Sequence, residues 1–136
     1  GVGSYVARAA KWGQIDGYTK KANDEICLLI QVETARGVKN LTEIATVEGI
    51  DGIFIGPADL SASLGYIGEP THPEVQKTIE EALQTIKASG KAAGILYADV
   101  NEAKKYLAMG FDFVAVGVDT ALLVQGGRAL LQHFTS

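Results

Sequence analysis

With 136 residues, 47% of them apolar and 21% charged, the chain carries enough apolar surface for a buried core and is too apolar for an intrinsically disordered segment. A net charge of −4 excludes the basic footprint of an electrostatic nucleic-acid binder, and no apolar run is long enough to span a bilayer. The single cysteine, Cys27, has no partner for an internal disulfide, which fits a cytoplasmic setting.

The chain opens on Gly1-Val2-Gly3-Ser4, with no initiator Met and no secretory signature, and this reads as a processed product or a piece of something longer. Residues 5–11 and 18–24 are predicted as short helices. Residues 27–33 form an apolar run suited to a buried strand. Its two-residue period puts Gln31 and Glu33 on one face with Cys27 and Leu29, leaving Leu28, Ile30 and Val32 to pack on helices. Thr34 is a good N-cap, and Val38, Leu41, Ile44 and Ala45 recur at helical spacing behind it until Gly49. Residues 53–55 are the next strand, followed by a loop over 56–59. A helix with Pro73 at its first position runs to Ser89, with Val75, Ile79, Leu83 and Ile86 as its apolar stripe. A strand over 92–97, a helix over 100–109, a strand over 113–116 and a helix over 120–134 complete the order. The last helix is expected to be interrupted at Gly126-Gly127.

Four successive β-α units with apolar strands indicate a parallel sheet with right-handed crossovers. A doubly wound open sheet and a (β/α)8 barrel both satisfy that order. Residues 49–56 (GIDGIFIG) are echoed by residues 110–117 (GFDFVAVG), an offset of 110 − 49 = 61 residues or two β-α units. That internal repeat suits a barrel, of which four units are half. Half a barrel leaves the face that lines its interior open to water.

Chemistry in such folds collects at the carboxyl ends of strands, which here offer Gln31, Glu33, Asp59, Asp99 and Asp119. A Gln and a Glu closing an apolar strand are costly to bury without partners. Glu33 is either a site residue, a cap for the following helix, or a partner for Arg36. Asp59 is either a site residue or a turn and cap residue. Taken together, Glu33 and Asp59 are hard oxygen donors at adjacent strand ends, which suits Mg²⁺ or Mn²⁺. No zinc site is legible, since there is one Cys and His72 and His133 lie far apart, the first at a helix start and the second in the tail. Asp99 and Asp119 read as helix caps, and Asp51 and Asp112 sit at the opposite ends of their strands. A Schiff-base lysine is not in place. Lys91 is at the amino end of a strand, and Lys39, Lys77, Lys87, Lys104 and Lys105 are on helices.

The stretches Gln31-Val32-Glu33-Thr34, residues 47–52 (VEGIDG) and residues 54–61 (FIGPADLS) with Leu64-Gly65 closely resemble the HpcH/HpaI aldolases. His72-Pro73-Glu74-Val75, Gly90-Lys91-Ala92, residues 113–120 and the opening Gly1-Val2-Gly3-Ser4 extend the resemblance over essentially the whole chain. These are class II, metal-dependent pyruvate aldolases acting on 2-keto-3-deoxy sugar acids and 4-hydroxy-2-oxo diacids. The resemblance implies a (β/α)8 barrel of the phosphoenolpyruvate/pyruvate-binding type, with residues 1–136 as the C-terminal half of a single domain. A complete barrel takes about 250 residues. It further implies that Glu33 and Asp59 hold Mg²⁺, Mn²⁺ or Co²⁺. Gln31, Asp59 and the Ala58 backbone would hold pyruvate. Leu96 and Val118 would line the site, Val118 reaching that of a neighbouring subunit. The family forms homo-oligomers, usually hexamers, with the last helix exchanged between neighbours. Its catalytic His, Asp and Arg lie upstream of the Gly1 equivalent, and neither His72 nor His133 matches that His. The expected activity of the parent protein is reversible cleavage of a 2-keto-4-hydroxy acid to pyruvate and an aldehyde, with no membrane or nucleic-acid partner. Two alternatives stand beside it: a non-catalytic, self-associating half-barrel that binds pyruvate and metal, and a carbon–carbon lyase of acyl-CoA esters from the same superfamily.

Overall fold

The computed structural model describes residues 3–134, so Gly1 and Val2 of the resemblance lie outside the described residues. Four strands, β1 (Leu29–Val32), β2 (Gly52–Ile55), β3 (Ala92–Leu96) and β4 (Phe113–Ala115), pair in that order and are all parallel. The row Val32, Ile55, Ile95 and Val114 runs across the sheet in register, as does the row Gln31, Phe54, Gly94 and Phe113 on the other face. Because side chains alternate along each strand, one sheet face carries the first row and the opposite face the second.

The first face is the core. Val32, Ile53, Ile55, Ala93 and Ile95 are buried against Leu41 and Ala45 of α3 (Leu41–Ala45) and against α5 (Pro73–Ala88). The predicted stripe of α5 is buried in full: Val75, Ile79, Leu83 and Ile86 are each 1% exposed or less. The second face is bare. Leu29 and Phe113 are 44% and 49% exposed, with the Phe54 and Phe113 rings 5.8 Å apart beside one another. This is the uncovered interior that half a barrel predicts.

The internal repeat has a mechanical meaning. Ile50 and Phe111 are both buried, and the aspartates that follow them each clamp a neighbouring strand at its amino end. Asp51 Oδ2 accepts from the Leu28 N–H at 2.6 Å, and Asp112 Oδ2 accepts from the Ala93 N–H at 2.9 Å. The Ala93 N–H and then the Lys87 ammonium, 2.9 Å from Oδ1, hold the Asp112 carboxyl below its ordinary range. Neither aspartate is near the carboxyl ends of the strands, where the candidate site residues lie.

Several local expectations need correcting. Residues 5–11 form two 3-10 helices, Ser4–Val6 and Arg8–Ala10, because the chain turns left-handed at Lys11 and Trp12 (φ 47° and 54°) and cannot propagate an α-helix. The helix behind Thr34 divides into α2 (Ala35–Lys39) and α3 at Asn40, a residue of low helix propensity whose ψ of 7° breaks the run. By contrast the closing helix α7 (Asp119–Leu131) runs unbroken through Gly126 and Gly127, neither of which takes a positive φ. Asp119 is its first residue rather than its cap, which is Val118. The Asp119 Oδ1 accepts from the Thr120 N–H at 2.8 Å. None of its residues is buried, and Leu122, Leu123 and Leu130 are 64%, 78% and 63% exposed. No helix among the described residues is long and apolar enough to cross a membrane.

The expectation for Asp99 holds. It caps α6 (Val100–Met109), its Oδ1 accepting from the N–H groups of Asn101 at 2.9 Å and Glu102 at 3.0 Å. Removing the acceptor of both bonds in Asp99→Ala is expected to cost about 1 kcal/mol of unfolding free energy in a urea titration, with the Asn variant nearly neutral.

Tyr106 of the same helix is fully buried, its hydroxyl within 3.0 Å of both polar atoms of the Gln76 amide. Burial pushes its phenol up to about 12, the Gln76 hydrogen bond opposing in part and the Tyr97 hydroxyl and Glu102 adding to the rise. A phenol raised in the folded state stabilises the fold fully below its unfolded value near 10 and ceases to do so as pH climbs through 12. Alkaline unfolding is therefore expected to begin above about pH 10 and to track phenolate absorbance, and Tyr106→Phe should remove much of that dependence.

Candidate functional site

Two strand ends build the site. As β1 ends, Glu33 emerges half-buried and accepts a hydrogen bond at its Oε2 from Gln31 Nε2 at 2.7 Å. Both side chains stand on the bare face, as the strand period requires. The alternatives for Glu33 are not what the chain uses. The cap of α2 is Thr34, whose Oγ1 accepts from the Gly37 N–H at 3.0 Å, and Arg36 makes no ion pair among the described residues.

At the end of β2 the Gly56 N–H reaches the Val32 carbonyl at 3.3 Å, so the pairing of the two strands continues to the edge of the site. What was expected as a loop over 56–59 is the start of α4 (Pro57–Ser63), with Gly56 as its N-cap and Pro57 at its first position. Asp59 therefore sits in the first helical turn, exposed, its carboxylate making no hydrogen bond or ion pair among the described residues. The N–H groups of Ala58 and Asp59 have no partners among the described residues, the first backbone bond of the turn being Leu60 N–H to the Gly56 carbonyl at 2.9 Å. Two free N–H donors at a helix start suit an anionic oxygen. The buried Ser61 hydroxyl donates to the Ala58 carbonyl at 2.7 Å and steadies that turn.

Gly56 makes the juxtaposition possible. A Cβ there would lie 2.9 Å from Gln31 Nε2 and 2.9 Å from Glu33 Oε2, so the Glu33 carboxylate rests against the very backbone from which the Asp59 turn departs. In the sequence Gly56 reads only as part of a loop. A glycine directly after a strand and before Pro was the available signal.

A notch of about 190 Å³ opens beside this turn, lined by Pro57, Ala58, Pro70, Leu96, Tyr97 and Ala98. It brings together Ala58 and Leu96, and adds Pro70 and Tyr97, which carry no signal in the sequence. Burial, then Glu102 and Asp99, push the Tyr97 phenol up, so it stays a neutral lining group. Val118 is not part of this notch. It lies 42% exposed where β4 passes into α7.

The donor set fits a hard, oxygen-seeking cation. Among the described residues no group of three or more His, Cys, Asp or Glu gathers as a metal site. Two carboxylates from adjacent strand ends, with room kept by a missing Cβ, instead leave most positions around an ion for water and substrate oxygens.

The sequence model of the HpcH/HpaI aldolase/citrate lyase family matches residues 5–126. The chain belongs to that family. It is 57% identical over 134 residues to a 4-hydroxy-2-oxo-heptane-1,7-dioate aldolase of Escherichia coli, covering 98% of this chain and 51% of the relative. Among solved structures, an HpcH/HpaI aldolase/citrate lyase family protein from Burkholderia cenocepacia superposes with a TM-score of 0.88 at 38% identity, over 100% of this chain and 52% of that one. The CitE protein of Mycobacterium tuberculosis, solved in complex with magnesium and acetoacetate, superposes with a TM-score of 0.58 at 26% identity, over 68% of this chain and 45% of that one. The chain thus spans about half the length of the curated relatives it matches.

Proposed function

We propose that the chain is the C-terminal half of a cytoplasmic class II aldolase that reversibly cleaves a 2-keto-4-hydroxy acid to pyruvate and an aldehyde. The observation that carries this reading is the shared cradle at Gly56, where Glu33, Gln31 and the first turn of α4 converge. The name borne by the Escherichia coli relative supports 4-hydroxy-2-oxoheptanedioate as the substrate. The magnesium and acetoacetate of the CitE complex support a divalent cation beside a small keto acid.

Glu33 and Asp59 would hold the cation, which in class II chemistry supplies a fixed positive charge where negative charge grows on the keto oxygen. The protein's own groups do the rest. The free N–H groups of Ala58 and Asp59 receive the substrate carboxylate, and Gln31 holds Glu33 in place through its amide. Leu96 and the notch beside Ala58 exclude water from the apolar edge of the keto acid. Cleavage breaks the C3–C4 bond, leaves the electron pair on the pyruvate fragment as an enolate, and requires a base to take the 4-hydroxyl proton. His72 is occupied at the start of α5, its Nδ1 accepting from the Glu74 N–H and its ring stacked on Tyr66. As the family resemblance implies, the proton-transfer groups are assigned to the N-terminal half, which would also cover Leu29, Phe54 and Phe113. The bare apolar face of α7 and the position of Val118 support a homo-oligomer in which each subunit completes its neighbour's site.

The test is proton exchange. Intact protein carrying this chain, supplied with Mg²⁺, is expected to exchange the methyl protons of pyruvate for solvent deuterium, followed by proton NMR. No exchange above the metal-only rate would end the proposal.

A further inference from the structure

We infer that Ser63 is a positioning residue for the metal and keto-acid site, acting through a hydrogen bond that fixes how far apart the two carboxylate-bearing segments stand. The inference rests on the site reading above, since it assigns Ser63 its role through Glu33 and Asp59.

Ser63 is the last residue of α4, four residues after Asp59, so the two stand one above the other on the same helix face. Its Oγ accepts from the Ala35 N–H at 3.0 Å, a contact between residues 28 apart in the chain. Ala35 in turn lies two residues after Glu33, at the first position of α2. The bond therefore joins the segment just beyond one carboxylate to the segment just beyond the other. On the near side the Gly56 N–H and the Val32 carbonyl make the matching link at 3.3 Å, one residue before Glu33 and three before Asp59. Glu33 and Asp59 are thus bracketed by two cross-connections. The near one is backbone to backbone and belongs to the sheet. The far one depends on a single side-chain oxygen, and no other hydrogen bond or ion pair joins α2 to α4 among the described residues.

A merely structural link and a positioning link differ in what they move. The position offers two independent ways to delete the bond. Ser63→Ala removes the acceptor. Ala35→Pro removes the donor at the first helical position, where proline fits, and the extended Thr34 before it (φ −130°, ψ 152°) is compatible with a following proline. Ser63→Thr keeps the oxygen at an exposed position.

The experiment is Mn²⁺ binding to the intact protein carrying this chain, read from the electron paramagnetic resonance signal of free Mn²⁺, alongside thermal unfolding and the KM for pyruvate in the exchange assay. Ser63→Ala and Ala35→Pro are each expected to weaken Mn²⁺ binding about tenfold, at the low end for groups that orient metal ligands, because the bond is exposed. The double variant should be no weaker than either single one, Ser63→Thr should bind within about twofold of the parent, and KM should rise more than kcat falls. Unchanged Mn²⁺ affinity in both single variants overturns the inference, as does a loss that Ser63→Thr shares. A lowered unfolding temperature with affinity intact assigns Ser63 to structure alone and equally overturns it. Glu33→Gln separates the two levels. If that variant binds Mn²⁺ like the parent, the site reading itself has failed, whatever Ser63 does.

Discussion

Glu33→Gln and Asp59→Asn are each expected to reduce metal-dependent exchange of the pyruvate methyl protons by about 10²–10³-fold while leaving the protein folded. The size follows from what is removed. Each substitution keeps shape but takes one of two anionic oxygen donors from a hard cation, and the positive charge that should meet the developing enolate is no longer held in place. Stability should barely respond. Glu33 is half-exposed and its only recorded bond, from Gln31 Nε2, has an acceptor in Gln as well. Asp59 is exposed, its carboxylate has no partner among the described residues, and its charge in the first turn of α4 contributes at most about 0.3–1 kcal/mol through the helix dipole. The two losses should not add. Both groups serve one ion, so the double variant should be about as slow as the worse single variant. Normal exchange in both single variants would remove the aldolase assignment.

What was legible in the sequence was what local physics decides. The spacing of Val75, Ile79, Leu83 and Ile86 required one buried helix face, and all four are buried. The alternation in residues 27–33 required Gln31 and Glu33 to share a face, and their 2.7 Å hydrogen bond is a consequence. Asp99 before an amphipathic run announced a cap, and it is one. The 61-residue repeat announced equivalent strands, each entered through a buried apolar residue and an aspartate that clamps its neighbour.

The rest was decided by groups that carry no local signal. Helix α4 begins with a single residue between it and β2 because Pro57 can start a helix without a side-chain cap, and Gly56 contributes space rather than a recognisable donor or acceptor. Helix α7 continues through Gly126-Gly127 because glycine lowers helix stability by about 1 kcal/mol without forbidding the conformation. The Ser63–Ala35 bond joins residues 28 apart, and nothing in either segment announces it. The carboxylates were therefore readable as chemistry, while the device that sets their separation was not.

That difference gives Gly56→Ala its diagnostic value. The backbone at Gly56 (φ −98°, ψ 94°) is open to any residue, so alanine introduces no conformational strain there. Its methyl group would nevertheless stand 2.9 Å from both Gln31 Nε2 and Glu33 Oε2, closer than real Cβ contacts come, and 3.1 Å from Glu33 Cβ, a tight contact that a shift of a few tenths of an ångström relieves. Both side chains can swing away, so the fold should survive. The reduced entropy of the unfolded alanine chain, worth about 0.4–1 kcal/mol, offsets part of the crowding. What cannot survive is the placement of the Glu33 carboxylate. A displacement of about 1 Å at a positioned group can cost about 10²-fold, so Mn²⁺ affinity and pyruvate exchange are both expected to fall by about that factor with little change in unfolding temperature. Gly110→Ala should behave in the opposite way. At φ 102° it has open space around the added methyl but an unfavourable backbone, far from the site at the end of α6. It should lose about 1–2 kcal/mol of stability and keep its metal affinity. Binding and stability should therefore separate cleanly between the two glycines. If Gly56→Ala instead retains full Mn²⁺ affinity, then Glu33 does not act from the cradle at the start of α4, and the shared site loses its geometric basis.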